Sequence, residues 1–228
     1  MRALLLAAGL GTRLRPLTDS VPKCLVQIKG QPLLGIWLDR LTKAGIGPFL
    51  INTHYLASQV ETFIQVSPYR DQVTLVNERE LSGTAGTLIA NLGFFQGEEG
   101  LLIHADNYCL ADFTAFQHAH RNRPPECVMT MMTFRTTDPS SCGIVELDER
   151  GVVIGFHEKV AKPPGNLANG AVYIFSTDLL DRLGADLQMA KDFSIEVLNR
   201  FVGHIYSYET SEVFLDIGTP ASYEQAIK

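Results

Sequence analysis

Short apolar runs alternate with stretches of helical period through the first half of the chain. Residues 3–8 (Ala-Leu-Leu-Leu-Ala-Ala) read as a buried strand. Residues 33–44 carry apolar side chains at helical spacing, with Pro32 at the start, where a missing N–H costs nothing, and Gly45 at the end. The same reading gives a strand over 49–52 and a helix over 58–66 with Val60, Phe63 and Ile64 on one face. A strand over 73–76, a helix over 85–92 and a buried strand over 101–105 follow. Such alternation predicts an α/β fold: a Rossmann-like mixed, mostly parallel sheet flanked by helices. Ligands of such sheets sit beyond the carboxyl ends of the strands. That gives weight to residues 9–13 and to Asp106 and Asn107, which follow strands directly.

The texture changes near Pro124. Residues 128–134, 144–147, 152–158 and 171–175 read as strands, with Asp148-Glu149-Arg150-Gly151 as a hairpin turn. A helix over 194–201 precedes a last strand ending near Asp216, and residues 219–227 close as a helix with Pro220 in its first turn. No linker, repeat or low-complexity stretch interrupts the chain. The expectation is one domain over 1–228, with a nucleotide-binding half (1–124) and a second half (125–228) of antiparallel character.

Composition narrows the classes of function. A formal net charge of -6 argues against a broad electrostatic grip on nucleic acid. No apolar run reaches the roughly 18 residues that span a bilayer. Residues 3–8 run straight into a glycine loop without a cleavage pattern, unlike a signal peptide. Cys24, Cys109, Cys127 and Cys142 form no C-x-x-C pair, which speaks against a zinc cage and fits a reducing cytoplasm. His118 and His120 fall one residue apart on a helix and face different sides, so they make a poor metal pair. Trp37 lies among leucines and reads as core; His54 and Tyr55 fit ligand contact and loop packing equally.

The loop Ala8-Gly9-Leu10-Gly11-Thr12-Arg13-Leu14 is glycine-rich, yet Leu14 stands where a dinucleotide fingerprint needs glycine, and no P-loop Gly-Lys-Ser/Thr follows. It still suits phosphates: Gly9 and Gly11 let backbone N–H groups approach an anion, and Arg13 adds a planar fork of donors. Pro22-Lys23 brings a second cation. Asp106 and Asp216 each end a strand more than a hundred positions apart. Two such carboxylates meet the needs of magnesium, which takes one or two and completes its shell with water and phosphate oxygens. Read alone, each aspartate serves equally well as a cap.

The run from Leu6 to Thr18, with Pro22-Lys23-Cys24-Leu25-Val26 and the late Asp216-Ile217-Gly218-Thr219-Pro220, resembles the sugar-1-phosphate nucleotidyltransferase family over nearly the whole chain. The resemblance implies a glycosyltransferase-A-like nucleotidyltransferase fold with a small antiparallel sugar-binding subregion. It implies an enzyme that uses Mg²⁺ and joins a nucleoside triphosphate to a sugar 1-phosphate. Carried over, Leu6, Ala8, Gly9, Gly11, Thr12, Arg13 and Lys23 would hold the nucleotide, with Arg13, Lys23, Asp106 and Asp216 catalytic and the two aspartates metal ligands. Gly83, Thr84, Ala85 and Gly86 would read the base. Asn107, Gly143, Glu158, Lys159 and Asn169 would hold the sugar phosphate. Val160 stands where relatives carry proline after the lysine.

The Gly83-Thr84-Ala85-Gly86 stretch resembles the guanylyl branch and favours GTP. The short form is similar to mannose- and manno-heptose-1-phosphate guanylyltransferases and to uridylyltransferases of N-acetylmuramic acid phosphate. A cytidylyltransferase of phosphocholine shares the first loop but has little use for the sugar stations. A nucleotide-sugar-binding paralogue without activity is the non-enzymatic alternative.

Overall fold

The computed structural model describes residues 1–228. In chain order the strands of the first part are β1 (Arg2–Leu6), β2 (Gln27–Ile28), β3 (Gln31–Pro32), β4 (Phe49–Thr53), β5 (Val73–Asn77), β6 (Gly100–His104) and β7 (Asn107–Cys109). The helices among them are α1 (Leu33–Lys43), α2 (Ala57–Val66) and α3 (Thr84–Ala90). Then come α4 (Phe113–Arg121), β8 (Met129–Arg135), β9 (Gly143–Leu147), β10 (Val153–Glu158), β11 (Leu167–Phe175), α5 (Thr177–Asp186), β12 (Ile205–Glu209), β13 (Phe214–Asp216) and α6 (Pro220–Ile227). The fold is a mixed sheet flanked by helices, as the alternating pattern predicts. Its backbone clusters into two compact units. No helix is long and apolar enough to cross a membrane.

The first unit comprises Met1–Leu81, Ile103–Ala111 and Glu212–Lys228. Here β1, β4 and β5 run parallel, with Ala3 opposite Phe49 and Phe49 opposite Val73. Every residue of β4 is buried, which accounts for its unbroken apolar run. Helix α1 buries Leu33, Leu34, Trp37, Leu38 and Leu41 on one stripe, each worth roughly 1.5–3 kcal/mol of burial. It stops where Gly45 takes a positive φ of 71°. Beyond the strand ends, β7 and β13 pair antiparallel with Asn107 opposite Asp216. Thr219 caps α6, exchanging side-chain and backbone hydrogen bonds with Ser222.

The second unit comprises Ser82–Leu102 and Asp112–Ser211. Strand β11 pairs antiparallel with both β8 and β9, β9 with β10, and β12 lies parallel to β8. Asp112 caps α4 by accepting from the Thr114 and Ala115 N–H groups. As the helical spacing requires, His120 faces inward and is fully buried, whereas His118 is exposed.

Several boundaries differ from the sequence pattern. The first strand ends at Leu6, because Ala7 turns its N–H to a side chain. The strand expected at 171–175 starts at Leu167, since a bulge between Asn169 and Tyr173 breaks its alternation. The helix expected at 194–201 is a wide turn, Phe193–Val197, followed by a tighter one, Leu198–Phe201. Strand β12 and helix α5 were not legible: β12 mixes buried and half-buried polar residues, and α5 is short, although Leu179, Leu180 and Leu183 do share its buried face.

Candidate active site

In the first unit the glycine loop leaves β1 at Leu6, whose carbonyl accepts from the Ala105 N–H at 3.0 Å. The Ala7 N–H donates to Asn52 Oδ1 at 2.8 Å, and Asn52 Nδ2 donates to Glu78 Oε1 at 3.0 Å. Asn52 is a buried polar residue at the end of β4, and this pairing is its reason to be there. Gly11 has a φ of 63°, and a Cβ on it would lie 2.9 Å from Thr18 Cγ2. Thr18 in turn donates its hydroxyl to the Gly11 carbonyl at 2.7 Å. The loop is thus pinned at both ends while Gly9, Leu10, Thr12 and Arg13 stay exposed.

Gly9, Leu10, Gly11, Thr12, Arg13, Lys23, Asp106 and Gly218 line a cavity of about 260 Å³. Lys23 is the buried cation of this cavity, its side chain only 7% exposed. Its Nζ stands 2.8 Å from Asp106 Oδ2 and 3.5 Å from Asp216 Oδ1. Arg13 Nη2 lies 3.9 Å from Asp216 Oδ2. A Cβ on Gly218 would come within 3.0 Å of the Arg13 guanidinium, so this glycine is what lets the arginine lie across the chain after Asp216. Burial alone would push the Asp106 carboxyl up; the Lys23 and His104 charges and the hydrogen bonds it accepts outweigh that and hold it below the usual carboxylate range. Beside it, burial pushes the Cys24 thiol up to about 12, so it stays protonated and unreactive.

The scaffold around Asp106 is equally specific. Trp37 Nε1 donates to the Asn107 carbonyl at 2.8 Å, and Arg40 Nη2 donates to the Leu110 and Ala111 carbonyls. Helix α1 therefore holds the strand that follows Asp106. Asn107 itself is buried, in register with Asp216. His54 and Tyr55 are tied to the backbone, at the Glu78 and Asp19 carbonyls, which is loop packing.

Asp106 and Asp216 are half-exposed oxygen donors without a thiol or imidazole between them, a set suited to a hard divalent cation. No group of three or more His, Cys, Asp or Glu is arranged to hold a metal. The remaining positions of such an ion would fall to water and substrate oxygens.

The other expected stations lie in the second unit. Gly83 opens α3 with a φ of 80°, followed by Thr84, Ala85 and Gly86. Gly143 opens β9 directly opposite Glu158 at the end of β10. A Cβ on Gly143 would stand 2.6 Å from Glu158 Oε2 and 2.8 Å from the Phe156 ring, so glycine here makes room for the carboxylate. Lys159 takes a left-handed φ of 49°, and its Nζ lies 3.3 Å from Glu158 Oε1. Asn169 is half-buried in β11, its Nδ2 donating to the Tyr173 hydroxyl at 2.7 Å. Sequence reasoning passed over Thr18, Asn52 and Tyr173. An isolated buried polar residue gives no pattern to read.

The nucleotidyl transferase family description matches residues 2–228. The chain belongs to that family. It is 30% identical over 224 residues to a mannose-1-phosphate guanylyltransferase of Mycobacterium tuberculosis, covering 97% of this chain and 62% of the relative. It is 32% identical to the mannose-1-phosphate guanylyltransferase catalytic subunit beta of Drosophila pseudoobscura pseudoobscura, covering 97% and 60%. The chain thus spans about three-fifths of the length of these curated relatives. Among solved structures, HddC from Yersinia pseudotuberculosis complexed with GMP-PN superposes with a TM-score of 0.82 at 24% identity, covering 99% of this chain and 97% of that one. A Bacillus anthracis protein, provisionally assigned as a glucose-1-phosphate thymidylyltransferase and crystallised with sucrose, superposes at 0.86 with 20% identity, covering 100% and 94%. These two likenesses establish the shared nucleotidyltransferase fold.

Proposed function

We propose that this chain transfers the nucleoside monophosphate of a nucleoside triphosphate, GTP by preference, to a sugar 1-phosphate, giving a nucleotide sugar and pyrophosphate. The observation that carries the reading is the meeting of Lys23, Asp106, Asp216 and Arg13 at a glycine loop. Four charged groups from three distant stretches converge there, two of each sign. A purely structural ion pair would not need an exposed loop of backbone N–H groups beside it.

In this reading Gly9, Gly11 and Thr12 offer backbone donors to the triphosphate, as do Leu6 and Ala8 at the loop's start. Arg13 and Lys23 offset charge on the α-phosphate and the departing pyrophosphate. Lys159 holds the sugar 1-phosphate, whose oxygen attacks the α-phosphorus in line, and Glu158 and Asn169 take sugar hydroxyls with Gly143 alongside and Asn107 near the phosphate. Asp106 and Asp216 would hold Mg²⁺, which supplies charge neutralisation to phosphate oxygens when bound. No covalent enzyme intermediate is required; the protein positions two anions and cancels their repulsion. Gly83, Thr84, Ala85 and Gly86 read the base. The guanylyltransferase relatives support GTP and a mannose-like sugar.

The test is pyrophosphate release with Mg²⁺, crossing GTP, UTP, dTTP and CTP with mannose, manno-heptose, glucose and N-acetylmuramic acid 1-phosphates. Turnover with GTP and one manno-configured sugar is the expected result. Turnover with UTP alone would replace the base assignment, and silence from folded protein across the grid would overturn the enzymatic reading.

A further inference from the structure

The base loop is held by another stretch of its own unit. The Ala85 N–H donates to the Lys191 carbonyl at 2.9 Å, and the Phe193 N–H donates to Thr84 Oγ1 at 2.8 Å. A Cβ on Gly83 would overlap the Lys191 carbonyl oxygen, so only glycine permits this approach. The stretch that makes these contacts is itself tied. Glu196 Oε1 accepts from the Lys191 N–H at 3.0 Å and the Asp192 N–H at 2.8 Å, and Asp192 Oδ1 accepts from the Ile195 N–H at 2.9 Å.

The next residue of that turn reaches toward the sugar station. The Ser194 side chain bonds the Tyr173 hydroxyl, which accepts from Asn169 Nδ2 at 2.7 Å. Asn169 Oδ1 accepts from the Ala171 N–H at 2.9 Å. An amide oxygen accepts and an N–H donates, so these two bonds fix the amide's orientation and leave one Nδ2 hydrogen for a ligand. The β11 bulge makes the arrangement possible: Asn169 pairs with Thr133 and Tyr173 with Met131, so four steps on β11 match two on β8. Ala171 within the bulge takes a left-handed φ of 53°.

Tyr173 is fully buried, 6.2 Å from the Phe175 ring and 4.8 Å from the Phe193 ring. Phenylalanine would fill that space as well. A hydroxyl in such a place costs stability unless it is bonded, and this one is bonded on both sides.

We propose that residues 191–197 form one bracket for both substrate stations. Through the Phe193 N–H the bracket fixes Thr84 of the base loop. Through Ser194 and the Tyr173 hydroxyl it fixes Asn169 of the sugar station. Tyr173 is then a positioning residue that touches neither substrate. The inference rests on the roles given to Thr84 and Asn169 under the proposed function.

The experiment is steady-state pyrophosphate release with GTP and mannose 1-phosphate, or whichever pair of the grid turns over. Each substrate is varied in wild type, Tyr173→Phe, Ser194→Ala, Thr84→Val and the Tyr173→Phe/Thr84→Val double variant. Tyr173→Phe should raise KM for the sugar phosphate about tenfold, the scale of one hydrogen bond, with kcat within about threefold and Tm within a few degrees. Ser194→Ala should move the same KM less, and Thr84→Val should raise KM for the nucleotide. In the double variant the losses in kcat/KM should combine to less than their product, because the second cut finds the bracket already slack. An unchanged sugar-phosphate KM in Tyr173→Phe, or a fall in kcat and Tm without a KM change, overturns the positioning role. Strictly multiplicative losses overturn the shared bracket. Absence of turnover in the wild type overturns the proposed function itself, and no variant is needed to see it.

Discussion

Lys23 Nζ stands 2.8 Å from Asp106 Oδ2, joining side chains 83 positions apart. The same ammonium lies 3.5 Å from Asp216 Oδ1, so one lysine faces both carboxylates assigned to the metal. It is buried, and a buried ammonium persists only when paired. This gives Lys23 two tasks: holding the aspartates in place and offsetting phosphate charge. Lys23→Ala should therefore lower turnover on the order of 100-fold or more, like the loss of one electrostatic donor. Lys23→Arg should restore little, because a planar fork does not replace a compact point charge in a closed niche. Pyrophosphate release, with circular dichroism to verify the fold, measures both. Near-normal turnover in Lys23→Ala would remove the residue from the mechanism.

Asp216 tests the metal assignment with less risk to the fold, since its side chain is 50% exposed. Asp216→Asn keeps the shape and removes the charge. The Mg²⁺ concentration for half-maximal rate should rise about tenfold or more, while Tm shifts by no more than a few degrees. Binding of Mn²⁺ in the presence of nucleotide, followed by electron paramagnetic resonance, should weaken in parallel. An unchanged metal requirement in both assays would assign Asp216 to the Arg13 and Lys23 ion pairs alone.

How much of this was legible beforehand depends on whether a residue acts through a local pattern or through a distant partner. The βα alternation of the first unit was visible because β1, β4 and α1 are apolar on the face or faces they bury. The glycine loop, Lys23 and both aspartates stood out through motif spacing. The Lys23–Asp106 pairing did not, because nothing in the sequence states which way a lysine points. Asn52 and Thr18 carry no motif: each is a single buried polar residue whose partner lies seven or more positions away. The bulge in β11 hid half of its strand, since period-two alternation fails where extra residues enter one side of a ladder.

Gly143 offers a test confined to the sugar station. A Cβ there would sit 2.6 Å from Glu158 Oε2 and 2.8 Å from Phe156, so either side chain must give way. Gly143→Ala should displace the Glu158 carboxylate and raise KM for the sugar phosphate by about tenfold. KM for the nucleotide should stay within about twofold, because the base and triphosphate residues are untouched. If both KM values rise together, the substitution has disturbed more than the Glu158 niche and the assignment of Glu158 to sugar hydroxyls loses its support.

His120 predicts how stability responds to acid. It is fully buried in α4, with Nδ1 2.8 Å from Thr130 Oγ1 and Nε2 3.5 Å from Glu99 Oε1. Burial first, then the Arg123 and Arg121 charges, lowers its pKa to about 3. In the unfolded chain an ordinary histidine titrates near pH 6.5, about where neutrality ends. Between these two values the unfolded chain binds a proton that the fold refuses. Stability is therefore fully present above about pH 6.5 and is lost as pH falls, at up to about 1.4 kcal/mol per pH unit. His120→Gln cannot titrate, so this part of the slope should vanish in it, although its stability at neutral pH should be lower by about 1–3 kcal/mol for the disturbed buried bond. Urea midpoints at pH 7, 6 and 5 for both proteins measure the difference, with the carboxylates contributing equally to each. Parallel slopes would mean that His120 takes up its proton in the fold, with Glu99 as the counter-charge, and that burial does not dominate its titration.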